Sequence, residues 1–423
     1  MFRELWRKKV ALVLIVALLL LFPAASIQPA QMLSKSLFLS IGIDRNDDGF
    51  VVGGIICVSQ FSSEGGEPTK TVRATGNSIN HALKNITTNE GRKVSLAHCN
   101  LIVLGPGLAD IDVTIVLSTM LKQYEMSNSA LLVCTDDDFM ELLQTSIENN
   151  TGATAGLLET ITAFNQESLL GTATTLDEFY KNYLRPASTA ILSVVNLSSS
   201  KEQKTGEGDA EVDTEGDEGE LESEADAGDP PLYNTRSAVI YVMGKQVARL
   251  TPDEVWAYSY LTRGASWLDI LTGATIGSST DTTILNNIND GELQNANATL
   301  HSKSKSSNIK IRLEKNRPIA NIKINTTAEL YHIIDPNSPH KYINFENNPP
   351  TKAIKTAFQQ KLLTNCESLL QKIEDYNADI LGLHDNFHRF NTKQYKKYFQ
   401  NNTLQDFLKD LEFNIQTNIK IVV

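Results

Sequence analysis

Residues 201 to 229, KEQKTGEGDAEVDTEGDEGELESEADAGD, hold thirteen Asp and Glu against two Lys and almost no apolar side chain. A tract of that composition has little to bury and repels itself. It is expected to stay extended and solvated, dividing the 423 residues into two units with separate cores. It also accounts for the charge: the whole chain carries −12, the tract −11, and everything else only −1. The folded parts are therefore nearly neutral. Nucleic acid is not an expected partner, because positive charge is scattered, with only KSKSSNIKIRLEKNR (residues 303 to 317) mildly concentrated. That stretch reads as a solvated strand pair, or as a surface lying against anionic head groups.

The N-terminus sets the compartment. Arg3, Arg7, Lys8 and Lys9 precede VALVLIVALLLLF, thirteen uninterrupted apolar residues, the order of an export signal. As a helix the run reaches about 20 Å, short of a hydrocarbon core of about 30 Å. Residues 1 to 32 are read as a signal peptide or a retained anchor. The sites around Ala25 and Ala30 are poor cleavage sequences, and the bulk of the chain is exported either way.

The remaining expected boundaries are 33–196 for a first unit, 197–235 for the linker and 236–423 for a second unit. In the first, LFLSIGI and FVVGGIICV form a hairpin. Ile79, Ala82, Leu83 and Ile86 then mark one face of a helix ending at Gly91. A strand in HCNLIVLG, a helix near 111–125, the strand ALLVC and a helix from TDDDFMELLQTSI follow, the acidic residues falling in the first turn of that helix. Thr175 and Glu178 form a capping box, and AILSVV closes the unit as a strand. This alternation predicts parallel pairing through crossovers.

The second unit opens with SAVIYVMGKQVARL, two short strands around Gly244, and with Thr251-Pro252-Asp253-Glu254, a helix start of cap, proline and capping box. Residues 264–306 carry no clear period. NIKIRLE and IANIKINTTAELYHI read as strands, and residues 351–376 as the longest helix, with Ile354, Phe358, Leu362, Leu369, Leu370 and Ile373 on its apolar face. Phe413, Ile415, Ile419 and Ile421 put one face of a terminal strand against that helix. The expected fold class is mixed α/β and α+β: a first unit of βαβ-type alternation and a second of a sheet packed on a long helix.

Candidate chemistry is sparse. Asp44-x-Asn46-x-Asp48-Gly49 matches the opening of an EF-hand loop, but its twelfth position is Ile55 and its flanks are strands, so a hairpin turn is the reading. Gly105 and Gly107 lack the third glycine of a dinucleotide fingerprint. His98 beside Cys99, and His384 with His388 and Asp379, are incomplete ligand sets. Cys57, Cys99, Cys134 and Cys366 show no C-x-x-C spacing and read as buried thiols. No nucleophile and base can be placed together, and no catalytic, cofactor or metal residue is assigned.

These segments, taken in order, resemble the Ger(x)C family, the C subunits of spore germinant receptors. The first unit is similar to that family in LSIGIDRNDDG, in TVRATGNSINHALKNI followed by LAHCNLIVLG, and in TLDEFYKNYL. The second is similar in SAVIYVMGKQVARLTPDEVWAYSYLTRG and in ADILGLHDNFHRFNTKQYKKYF before a terminal strand. The resemblance implies a non-enzymatic receptor component on the outer face of the inner spore membrane, working with a multi-pass A subunit and a transporter-like B subunit. One departure stands out: the family's lipid-bearing cysteine has no counterpart after LLLLFPAASIQPAQ, the first cysteine being Cys57, so no lipid attachment site is assigned. The alternative is an exported small-solute-binding protein using the crevice at the strand ends of the first unit.

Overall fold

The computed structural model describes residues 35–57, 69–148, 173–197, 233–262, 273–276, 284–285, 296–335, 338–342 and 351–422. The leader, with Ala25 and Ala30, and the acidic tract lie outside them.

The first sheet is built from β1 (Lys35–Asn46), β2 (Gly49–Cys57), β3 (Thr69–Gly76), β4 (Lys93–Ser95), β5 (Leu101–Leu104), β6 (Leu131–Cys134), β7 (Thr174–Thr175), β8 (Thr189–Leu197), β9 (Tyr233–Val242) and β10 (Lys245–Leu250). Its order is β10-β9-β8-β6-β5-β1-β2-β3, with β4 on β1 and β7 on β6. β1, β5, β6 and β8 run parallel, as the alternation predicts. The connecting helices are α1 (Ile79–Glu90), α2 (Val113–Tyr124), α3 (Phe139–Glu148) and α4 (Leu176–Tyr183).

The helix signals correspond to real caps. In α1 the buried residues are Ile79, Ala82, Leu83 and Ile86, and Gly91 ends the helix at φ 66°. Thr175 and Glu178 exchange both capping-box bonds. The acidic run before α3 departs from expectation, because Asp136, Asp137 and Asp138 precede the helix and are drawn out of its first turn by other partners. Asp138 accepts from the Met140 N–H at 2.8 Å and pairs with Arg73 at 2.9 Å, while Asp137 accepts from the Leu197 N–H at 2.7 Å.

Strand pairing runs across residues 198–232 rather than stopping there. β9 lies antiparallel on β8, from Thr189 opposite Val242 to Leu197 opposite Tyr233. The hairpin that the sequence places at the head of the second unit thus completes the first sheet. Its alternation serves two cores: Val239 and Tyr241 pack in the first, Ala238 and Ile240 in the second.

The second sheet comprises β11 (Gly273–Ile276), β12 (Ile284–Leu285), β13 (Ala296–Glu314), β14 (Arg317–Asp335), β15 (Ser338–Tyr342) and β16 (Glu412–Val422). β13 and β14 are nineteen residues each, turning at Lys315 and Asn316, both at positive φ. β13 begins well before NIKIRLE because β14 pairs along nearly its whole length, a tertiary effect that the polar run ANATLHSKSKSS does not announce. The helices are α5 (Pro252–Thr262), α6 (Thr351–Asp375), α7 (Leu383–Phe390), α8 (Thr392–Tyr398) and α9 (Leu404–Asp410). All six apolar residues expected on α6 are buried, and β16 lies parallel to β14 in the sheet that this helix covers. Among the described residues no helix is long and apolar enough to cross a membrane.

Candidate functional site: the junction of the two sheets

Two of the sequence motifs meet each other. The Asp44 carboxylate accepts from the backbone N–H of Gly107 and of Arg45, both at 2.8 Å. A Cβ on Gly107 would lie 1.9 Å from the Arg45 carbonyl oxygen, and one on Gly105 2.4 Å from Asp44 Cγ. The glycines let the loop after β5 close over the end of β1, and Asp44 fastens it there. The turn itself is Asp47-Asp48, braced by the Asp48 N–H on Asn46 Oδ1 at 3.1 Å.

His98 is exposed while Cys99 is buried with its thiol 3.2 Å from the Leu101 carbonyl, so the two do not converge. Burial pushes the thiols of Cys99, Cys134 and Cys366 up to about 12, which keeps them protonated and unreactive. Cys57, at the end of β2, is only half-buried. Among the described residues no group of three or more His, Cys, Asp and Glu is arranged to hold a metal ion.

Asp379, His384 and His388 are brought together by local architecture. Both oxygens of Asp379 accept backbone N–H groups at the start of α7, from Leu383 at 2.7 Å and His384 at 2.8 Å. Burial nevertheless dominates and raises its carboxyl above the ordinary value, the two N–H bonds and His384 pulling the other way. His384 is buried, with Nε2 2.8 Å from the Tyr395 hydroxyl, and His388 lies against the Tyr395 ring at 4.6 Å. These side chains tie α7 to α8.

The same cap faces the first unit. The Thr189 hydroxyl donates to the Asp379 carbonyl at 3.1 Å, and Arg185 stands 3.6 Å from Asp385. Between them lies a cavity of about 140 Å3 lined by Asn182, Arg185, Thr189, Tyr258, Asp379 and Asp385, among others. On the other side of the junction Asp136 joins Arg249 at 2.6 Å and accepts from Asn196 at 2.8 Å. Lys372 of α6 donates to the Arg249 carbonyl and to Glu254, both at 2.6 Å.

Glu254 carries this network. It makes the expected capping box with Thr251, but also accepts from Ser368 at 2.7 Å and from Lys372. Burial pushes its carboxyl up; the bonds from Lys372, Thr251 and Ser368 outweigh it and hold the group below the ordinary carboxylate range. The capping box is legible in the sequence. Asn196, Arg185, Arg249, Lys372 and Asp385 are not, since their partners lie between 60 and 200 residues away.

Residues 33–197 match the family model described as the spore germination protein N-terminal domain, and residues 235–422 match that described as spore germination B3/GerAC like, C-terminal. The chain belongs to the Ger(x)C family. The two matches flank the acidic tract, and their common theme is spore germination. No curated protein sequence matches the chain. A solved structure titled "Crystal Structure of the GerBC protein" is similar at a TM-score of 0.50 and 13% identity, over 91% of this chain and 97% of that one. At that identity the likeness concerns the fold, and it covers both sheets of this family member.

Proposed function

We propose that the chain is the non-enzymatic C subunit of a spore germinant receptor. In this reading it is exported, associated with the outer face of the inner spore membrane, and acts through contacts with A-type and transporter-like B-type subunits. The observation that carries the reading is the ordered pair of family matches, spanning 33–197 and 235–422, on a scaffold whose two cores share one hairpin. A body braced in this way is suited to relaying contact between partners. The buried titratable groups support a non-catalytic role: Asp379 caps a helix, Glu254 joins α5 to α6, and three thiols are held protonated.

The solute-binding alternative is less well supported. The strand-end crevice is filled by the chain itself, with Asp44 on Gly107 after β5 and Asp136 on Asn196 and Arg249 after β6. The junction cavity of about 140 Å3 is smaller than the roughly 300 Å3 at which small-molecule sites begin, and the larger hollow of about 450 Å3 lies beside β13 and α7 in the second unit, away from that crevice. Affinity purification of the tagged protein from detergent-solubilised spore membranes, with mass spectrometry of co-purifying chains and of its N-terminus, tests the proposal. Recovery with multi-pass partners is expected. Recovery alone, soluble and cleaved near Ala25 or Ala30, would replace it with the solute-binding reading.

A further inference from the structure

β16 closes the second sheet, and among the described residues it pairs with β14 alone. Its other edge, from Glu412 to Val422, presents backbone donors and acceptors away from the sheet. Exposed edges are normally blunted by lysine, proline or a bulge. β16 has none of these in its centre: eleven consecutive pairs with β14 show no bulge, and Phe413 to Ile419 contains neither proline nor charge. Such a straight, uncharged edge is a template for another strand.

The sequence of the strand indicates which one. Turned antiparallel to itself about Gln416, β16 places Glu412 opposite Lys420, Asn414 opposite Asn418 and Gln416 opposite its own copy. On the other face Phe413 meets Ile419 and Ile415 meets Thr417. Sliding this register by two residues puts Glu412 opposite Asn418 or Val422, so the charge match is specific to it.

A second feature has the same symmetry. Within one chain the Asn414 side-chain amide donates to Asn321 at 3.2 Å, and that of Asn418 to Asn325 at 3.5 Å, both on the exposed face. In the antiparallel register these two short ladders join into one, Asn321–Asn414 continuing into Asn418–Asn325 of the second copy. Glu412 already touches Arg317 at 3.2 Å, but both side chains are exposed and the carboxylate keeps room for a lysine.

We propose that the chain forms a two-fold dimer in which β16 pairs antiparallel with β16 of a second copy, centred on Gln416, making one sheet continuous across two molecules. The arrangement is isologous and self-limiting. It does not depend on the receptor reading, since it rests only on the edge and its complementarity.

The test uses the full chain in membranes, in a Cys57→Ser background, because Cys57 is half-buried and the other three thiols are buried. Opposed residues of an antiparallel pair have Cα atoms about 4.5–5.5 Å apart, within disulfide range. Gln416→Cys should therefore give a disulfide-linked dimer on mild oxidation. Asn414→Cys and Asn418→Cys should each stay monomeric alone, because like positions are about 13 Å apart in this register, but should cross-link when co-expressed. Lys420→Glu should weaken the dimer about tenfold, and Glu412→Lys added to it should restore it. With circular dichroism unchanged, absence of the Gln416→Cys dimer would overturn the proposal. Equal cross-linking of all three single variants would do so as well, as would capture of a different chain by Gln416→Cys.

Discussion

The two sheets of this molecule solve burial differently. The first is covered on both faces: α3 lies over Leu101, Val103, Val133 and Val195, while α1, α2 and α4 lie over Ile102, Leu104, Leu132 and Val194. Its parallel strands accordingly read as unbroken apolar runs, all four residues of β5 being buried. The second sheet is covered on one face, by α6 and its neighbours, and β16 alternates from Glu412 to Lys420 between exposed positions and covered ones, of which only Ile419 is fully buried. A sheet enclosed on both faces has only its edges to offer a partner, whereas a one-sided sheet keeps a face and an edge in contact with its surroundings. In this family member the first sheet is the better candidate for a rigid frame, and the second for assembly.

That contrast is sharpest in the cores. Leu132→Ala in β6 should destabilise by about 2–5 kcal/mol in urea unfolding, and Phe358→Ala in α6 by about 3–5 kcal/mol, because each empties a fully packed site. Ile415→Ala in β16 should lose less than half as much as Leu132→Ala, its side chain being only partly covered. Equal losses would remove the distinction between the sheets.

The junction comes next in size. Lys372→Met should destabilise by about 3 kcal/mol, because it strands the buried Glu254 carboxylate. The sign of the pH dependence follows from the lowered Glu254 value. The folded state binds that proton less readily than the unfolded chain, so Glu254 stabilises above the ordinary carboxylate range and the gain is lost as pH falls through its folded value. Asp379 has the opposite sign: its raised folded value favours the protonated form, and stability from this group falls as pH rises through the carboxylate range. Denaturation curves of Glu254→Gln and Asp379→Asn across that range should therefore change slope in opposite directions. A common direction would contradict the roles assigned to the two carboxyls.

Smaller effects test the loops. Asp44→Ala should cost about 1–2 kcal/mol by releasing the Gly107 N–H, with melting unaltered by a calcium chelator in the parent chain. Chelator-dependent melting would revive the calcium reading of residues 44 to 49. Deleting residues 201–229 should leave both sheets folded and raise stability by on the order of 1 kcal/mol, since Leu197 and Tyr233 already face each other and a shorter closure loses less entropy. Unfolding of either sheet after that deletion would show that the tract is more than a spacer.

How much of this was legible depended on distance along the chain. The faces of α1 and α6, the capping boxes at Thr175 and Thr251 and the turn after Asn46 are set by contacts within a few residues, and a linear reading finds them. The junction could not be read in the same way. Glu254 announces a helix start, yet its heavier duty is to Lys372, 118 residues on; Asp136 looks like a helix-dipole residue and instead holds Arg249, 113 residues on. The motif at Asp44 reads as a hairpin turn, but its hold on the Gly107 N–H, 63 residues away, could not be read from it.

By itself the sequence determined the local elements, the family resemblance and the division of charge, because hydrophobic period, capping residues and composition act at short range. Only the tertiary structure decided that the Tyr233–Leu250 hairpin belongs to the first sheet, that β13 extends back to Ala296, and that β16 pairs with β14 alone among the described residues. Backbone hydrogen bonds between strands are indifferent to side-chain identity, so which strands pair and which edge stays open follow from how the whole chain packs.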